Sequence, residues 1–227
     1  MYQYLHAKLL SFWQSLRFKF LNTNKKQLYL LQQLYRHNDG YELSKQDRAN
    51  KITDDCTLVY GETLVASFRR LLNIIKPKAG DVFYDLGAGT GHLVLTAAVF
   101  YPFKRCVGIE ILPSLYHNSN TKLQEFNQLK MQHPSLLGNS AQIKFLNRDF
   151  LTADVSDADI VFINATGFFA DSKIALENCL NRLKPQTRVI ITSKKLSLEH
   201  FELLHENVYP MTWAACSVRI YRKIRVK

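Results

Sequence analysis

The sequence predicts an α/β fold: a mostly parallel seven-stranded sheet covered by helices on both faces, with an antiparallel C-terminal ending and a small helical N-terminal cap. Three observations carry this. From about residue 60 onward, short apolar runs alternate with helical patterns, the rhythm of a sheet whose strands are buried on both faces. The first of these runs leads straight into a glycine loop. Acids stand at or just after the ends of the first three strands, at Asp85, Glu110 and Asp149.

Over Leu5–Phe20, apolar residues at 5, 9, 12, 13, 16 and 20 recur at helical spacing, with Lys8, Arg17 and Lys19 between them. A second helix is expected over Lys26–Arg36 on Leu28, Leu31, Leu34 and Tyr35. These helices read as a cap docked on the main domain; the basic, aromatic-rich first one also suits a membrane interface. A polar segment, His37–Asp55, links the cap to the main domain, dividing the chain into 1–55 and 56–227. A helix over Glu62–Ile75 stops at Lys76-Pro77, with Gly80 in the turn. Strands are then expected at Asp81–Leu86, Cys106–Glu110, Ile143–Asn147, Asp159–Asn164 and Arg188–Thr192. Helices are expected at about Gly91–Phe100, Pro113–Met131 and Ser172–Leu183, and two last strands at about Thr212–Cys216 and Val218–Val226.

With 227 residues, 47% hydrophobic and 22% charged, the chain has the composition of a core-forming globular protein. No apolar run is long enough to cross a bilayer, and the N-terminus lacks the apolar block and small-residue site of a cleaved secretory signal. Cys56, Cys106, Cys179 and Cys216 are scattered without a CxxC pair, predicting reduced core thiols in a cytoplasmic protein. Peripheral membrane attachment, or export into a host by a bacterium, stays open. No acidic or histidine cluster has metal spacing, so no metal is expected. The net charge of +11 sits at the ends: six Lys/Arg and no acid in residues 1–38, five and none in 217–227. The remaining nineteen basic residues match the nineteen acids. Basic ends suit a polyanion, nucleic acid or an anionic surface; the plainer reading is a solvated face and tail.

Asp81–His92, DVFYDLGAGTGH, carries the cofactor signal. Its glycines allow a tight turn and close backbone approach at a strand's carboxyl end. The spacing is G-x-G-x-G rather than the G-x-G-x-x-G of dinucleotide binders. Asp85 places a carboxylate where a pyrophosphate would want bare amides, which favours a cationic ligand. S-adenosylmethionine carries an ammonium and a sulfonium and no phosphate. Glu110, 21 residues beyond Gly89, is placed to accept both ribose hydroxyls. Asp149 and Phe150 offer an acceptor for the adenine amino group and a ring for stacking.

The loop and strand order resemble the class I, Rossmann-like S-adenosylmethionine-dependent methyltransferases over about residues 60–227. A narrower resemblance lies in Tyr60-Gly61-Glu62-Thr63 together with DLGAGTG, GIE, RDF and the VFIN strand end. These residues resemble the disruptor-of-telomeric-silencing family of non-SET histone lysine methyltransferases. The resemblance implies that Tyr60, Gly61, Glu62 and Thr63 fold over the cofactor's methionine end. It assigns cofactor contact also to Phe83, Asp85, Gly87, Gly89, Gly91, His92, Glu110, Asp149 and Phe150, and a protein lysine as the methyl acceptor.

Methyl transfer to an amine is a direct displacement that needs alignment, exclusion of water and a neutral nucleophile. Asn164-Ala165-Thr166-Gly167-Phe168 comes directly after the fourth strand. It lacks the two prolines of the (N/D)-P-P-(Y/F) segment found in nucleic-acid amino-methyltransferases. In the family it resembles the stretch is N-N-F-A-F, so Asn164 and Phe168 are the expected acceptor-site residues, while Ala165 and Thr166 depart from it. A turn with a core Phe is the plainer reading of the same residues. Ser193-Lys194-Lys195 is similar to an S-K stretch of the family's substrate channel; a solvated turn also fits. A nucleic-acid methyltransferase guided by basic ends, and a cofactor-binding module without turnover, are the competing readings.

Overall fold

Val82–Leu86 (β1) lies at the centre of the sheet, and its alternation sends Phe83 and Tyr84 into opposite core layers. It pairs in parallel with Arg105–Glu110 (β2) on one side and Ile160–Ile163 (β4) on the other. Gln142–Asn147 (β3) extends the sheet beyond β2, and Arg188–Thr192 (β5) beyond β4, again in parallel. Ala215–Lys223 (β7) adds antiparallel to β5, and Phe201–Pro210 (β6) closes the edge antiparallel to β7. The order is β3-β2-β1-β4-β5-β7-β6. The chain leaves β1 toward opposite edges through β2 and β4, so a crevice opens at their carboxyl ends, where open α/β sheets bind ligands. The computed structural model describes residues 22–50, 56–138, 140–197 and 199–225; the helix expected over Leu5–Phe20 lies outside them.

Both faces of the sheet are covered. On one, Val65–Ile75 (α3) and His92–Phe100 (α4) bury Phe68, Leu71, Leu72, Val94 and Ala97 against Phe83, Phe162 and Ile220. On the other, Ala170–Asn181 (α7) sets Leu176, Cys179 and Leu180 against Val161, Val189 and Tyr221. The apolar β-branched sequence of β4, IVFI, is fully buried, as a central parallel strand requires.

Thr23–Leu34 (α1) starts where the Asn22 side chain accepts the Lys25 N–H at 3.0 Å. It buries Leu30, Leu31 and Leu34 against Leu95, Phe126 and Leu137. The segment expected to be a polar linker contains a helix, Gly40–Asn50 (α2). Asp39 Oδ1 accepts the Glu42 N–H near its start. Asp47, in turn, accepts both the N–H (2.8 Å) and the hydroxyl (2.7 Å) of Ser114, at the first turn of Pro113–Gln132 (α5). A short helix, Pro134–Leu137 (α6), comes next.

Two boundaries differ from the sequence expectation in ways that matter to the site. The helix expected from Glu62 begins at Val65, which leaves Glu62 and Thr63 in an extended loop. The last two strands are Phe201–Pro210 and Ala215–Lys223, so Met211–Ala214 is the hairpin turn rather than part of a strand. Cys106, Cys179 and Cys216 are buried free thiols, while Cys56 is exposed, against the expectation that all four are core residues. No described helix is long and apolar enough to cross a membrane. Arg219 and Arg222 on β7 pair with Glu206 and Glu202 of β6, which neutralises much of the basic C-terminal strand.

Candidate active site

A cavity of about 340 Å³ lies at the carboxyl ends of β1, β2 and β4. Its floor is the turn after β1, where Asp85, Gly87 and Gly89 face inward. Gly89 has φ 55, and a Cβ there would come within 2.5 Å of the Tyr60 ring. The loop can therefore approach Tyr60 this closely only as glycine. Glu110 comes in from the end of β2: its Oε2 accepts the Gly89 N–H and its Oε1 the Leu112 N–H, both at 2.8 Å. Asp149 and Phe150, in the loop after β3, complete this side. The Asp149 Oδ1 also accepts the Leu151 N–H at 2.8 Å.

The lid is Tyr60–Thr63, all of which line the cavity. The Tyr60 hydroxyl donates to Glu62 Oε1 at 2.7 Å and lies 3.3 Å from Thr90 Oγ1. His92, at the start of α4, donates from Nε2 to the Thr63 carbonyl at 3.1 Å. The Glu62 carbonyl accepts from both the N–H and the hydroxyl of Thr212 in the β6–β7 turn. Thr212 also meets the Tyr41 hydroxyl of α2 at 2.8 Å. A Cβ on Gly61 would lie 3.0 Å from the Trp213 ring. The lid is thus clamped between the glycine loop, the last hairpin and α2.

Opposite the glycine loop stands Asn164, just past β4. Its Nδ2 donates to the Gly61 carbonyl at 3.3 Å, and its Oδ1 accepts from Thr192 Oγ1 at 2.7 Å and Thr166 Oγ1 at 2.8 Å. These bonds fix the amide's orientation and tie the lid to β4 and β5. Phe168 is buried, lines the cavity and lies 5.8 Å from the Phe150 ring.

The electrostatics are those of a site that wants a ligand. Asp85 is 2% exposed, and burial pushes its carboxyl well above the usual range, with the Glu110 charge adding to the effect. Burial also raises Glu110, against which the amide hydrogen bonds from Leu112 and Gly89 act. Burial raises the Tyr60 hydroxyl, and Glu62 adds to this. Burial lowers His92, opposed by the Glu62 charge and the bond to the Thr63 carbonyl.

Of the residues singled out in the sequence, Tyr60, Gly61, Glu62, Thr63, Asp85, Gly87, Gly89, His92, Glu110, Asp149, Phe150, Asn164 and Phe168 line this one cavity. Phe83 does not: it shares a sheet face with Asp85 but lies two residues further from the carboxyl end of β1, where it is 0% exposed and packs against Phe68 and Phe103 in the core. Gly91 also faces away, starting α4 behind the loop with Phe145 and Ser119 against it. Sequence reasoning missed Thr57, Leu58, Leu112 and Leu115, which supply apolar and backbone wall, and the Thr212–Trp213 clamp. Thr57 and Leu58 lie just ahead of Val59 and the YGET motif, so closeness to that motif is the signal that could have found them. Among the described residues, no group of three or more His, Cys, Asp or Glu side chains is placed to hold a metal ion.

The geometry can be set beside known proteins. A histone-lysine N-methyltransferase specific for lysine 79 of H3, from Drosophila melanogaster, is 26% identical over 169 residues, 71% of this chain and 9% of that protein. A protein-lysine N-methyltransferase from Saccharolobus islandicus is 29% identical over 123 residues, 54% of this chain and 68% of that one. The match thus spans less than a tenth of the animal protein. An RNA methyltransferase of Salinibacter ruber, solved with S-adenosyl-L-homocysteine, superposes with a TM-score of 0.56 at 23% identity. That superposition covers 73% of this chain and 95% of the other, and it shows a shared Rossmann-like, class I methyltransferase fold. Residues 43–218, well over half of the chain, match the family described as Histone methylation protein DOT1. The chain belongs to the DOT1 family.

Proposed function

We propose that the chain is an S-adenosylmethionine-dependent methyltransferase whose acceptor is a lysine side chain of a protein. The observation that carries this is the Tyr60–Thr63 lid, which joins the cavity of the two buried acids to the Asn164 amide through one loop. The residues fit the cofactor. Glu110 is pinned by two backbone amides yet still lines the cavity, so its remaining lone pairs would take ribose hydroxyls. Asp85 is a buried carboxylate on the same cavity, suited to an ammonium rather than a phosphate. Asp149 and Phe150 would hold the adenine, and Glu62 with Thr63 the methionine end.

When bound, S-adenosylmethionine supplies a methyl group on a positively charged sulfur. The chain's own residues position and dehydrate. The lid, tied to Asn164 and Thr212, excludes water; Asn164 and Phe168 orient and wall the incoming amine. A displacement of this kind needs alignment more than a nucleophile from the protein. Residues 1–55 would serve as cap and linker and 56–227 as the catalytic unit.

Incubating the protein with methyl-labelled S-adenosylmethionine and cell lysate tests this reading. Label sensitive to protease and resistant to nuclease is expected. Label in RNA alone, or binding without any transfer, would sink it.

A further inference from the structure

We propose that Phe169, next to the cavity-lining Phe168, is a docking plate for the acceptor lysine, occupied by the chain's own Lys194 until an acceptor displaces it. This rests on the lysine-methyltransferase reading above. Phe169 comes directly after Phe168, which lines the cavity, yet its own ring is 59% exposed. The Lys194 ammonium lies 3.3 Å from the centroid of that ring, a cation against the negative face of an aromatic. Among the described residues no carboxylate pairs with Lys194, so the ring is its principal partner. Burial lowers its pKa, with Cys56 opposing and Lys173 adding to the effect.

The two residues arrive from different elements, and both are held. The Phe169 N–H donates to Ser172 Oγ at 2.9 Å, and its carbonyl accepts that hydroxyl at 2.7 Å. Ser193, beside Lys194, lies 3.0 Å from Thr166 Oγ1, which donates to Asn164 Oδ1. The plate is therefore joined to the acceptor corner by a run of hydroxyls. Its two flanks are strained: Ala170 has φ 44 and Ser193 φ 61, left-handed backbone that disfavours residues with a Cβ and gathers at functional sites. An incoming lysine carries the same cation on the same stem as Lys194. A ring that holds one recognises the other by the same chemistry, and the internal occupant imposes a competition.

The test combines NMR of protein carrying ¹³Cε-lysine, in the presence of S-adenosylhomocysteine, with kinetics. The Lys194 resonance, identified by its loss in Lys194→Arg, is expected upfield of the other lysines because of the ring. A Gly/Ser peptide bearing one lysine should return it to the solvent-exposed position; the same peptide with norleucine should not. In parallel, the half-saturating concentration of the labelled lysate protein should rise about fivefold in Phe169→Ala and Phe169→Leu. It should stay within about twofold of wild type in Phe169→Trp and fall in Lys194→Met. A Lys194 resonance unmoved by about 10 mM lysine peptide, or a Phe169→Leu variant that saturates like wild type, overturns the proposal. A lysate that wild-type protein leaves unlabelled contradicts the methyltransferase reading instead, and the resonance still decides the plate.

Discussion

Asp85 and Glu110 are carboxyl groups that the fold holds out of water at the ends of neighbouring strands, at 2% and 6% exposure. Burial raises the Asp85 pKa, so the folded chain binds that proton more tightly than the unfolded chain does. Its contribution to stability is full below the ordinary carboxylate range and is lost as pH climbs through the raised value. Asp85→Asn removes the titration. Relative to wild type, its thermal midpoint should be nearly unchanged at about pH 4 and higher at about pH 7.5. The gain amounts to about 2–4 °C for each kcal/mol relieved in a chain of this size. S-adenosylmethionine binding should weaken in the same variant. Scanning calorimetry across pH checks the first part and titration calorimetry the second; a midpoint difference that does not grow with pH contradicts the burial account. Asn164 acts differently, since its described side-chain bonds run to the Gly61 carbonyl of the lid, to the Thr192 hydroxyl at the end of β5 and to the N–H and hydroxyl of Thr166. Asn164→Ala should lower kcat about ten- to a hundredfold with a smaller change in cofactor affinity, measured by label transfer under saturating cofactor.

At the scale of elements, the lid works because three segments distant in sequence press on it. Gly89 and Tyr60 meet so closely that Gly89→Ala must move the ring or the loop, and its φ of 55 adds backbone strain. We expect a loss of about 2–4 kcal/mol in unfolding free energy. In a Tyr60→Ala background the same substitution should cost at least about 1 kcal/mol less, a coupling that denaturant titration of the double-mutant cycle measures. These contacts also mark where sequence reasoning stops. β1, β2 and β5 were legible to within a residue, since their apolar runs are buried on both faces and need no partner to be recognised. α2 was not, because GYELSKQDRAN is mostly polar and its role lies in the long-range Asp47–Ser114 bonds. β6 was missed because most of it is solvent-facing and a register shift at Leu203/His205 breaks its alternation. The site was legible in its glycines, its acids and YGET, which are local motifs. Phe83 was misplaced because closeness to the motif in sequence does not say how far along β1 the cavity reaches, and Phe83 lies below it in the core.

At the scale of the molecule, the sheet order brings three strand ends and one N-terminal loop to a single crevice. On the basic C-terminal strand, Arg219 and Arg222 are engaged by Glu206 and Glu202, which lowers the charge they offer a polyanion. Arg222→Glu should therefore change the initial rate of methyl transfer to protein less than about twofold between 50 and 300 mM salt. A steep loss with salt, sharpened by the substitution, would point to nucleic acid. The proposed role of the Tyr60–Thr63 lid, the two acids and Asn164 is methyl transfer to lysine. It is tested most directly by hydrolysing protein labelled by the wild-type chain and by Glu110→Ala, and identifying the modified amino acid. Methyl-lysine from wild type, and none from Glu110→Ala at the same cofactor concentration, is the predicted result. Label on any residue other than lysine, or equal label from the variant, would contradict it.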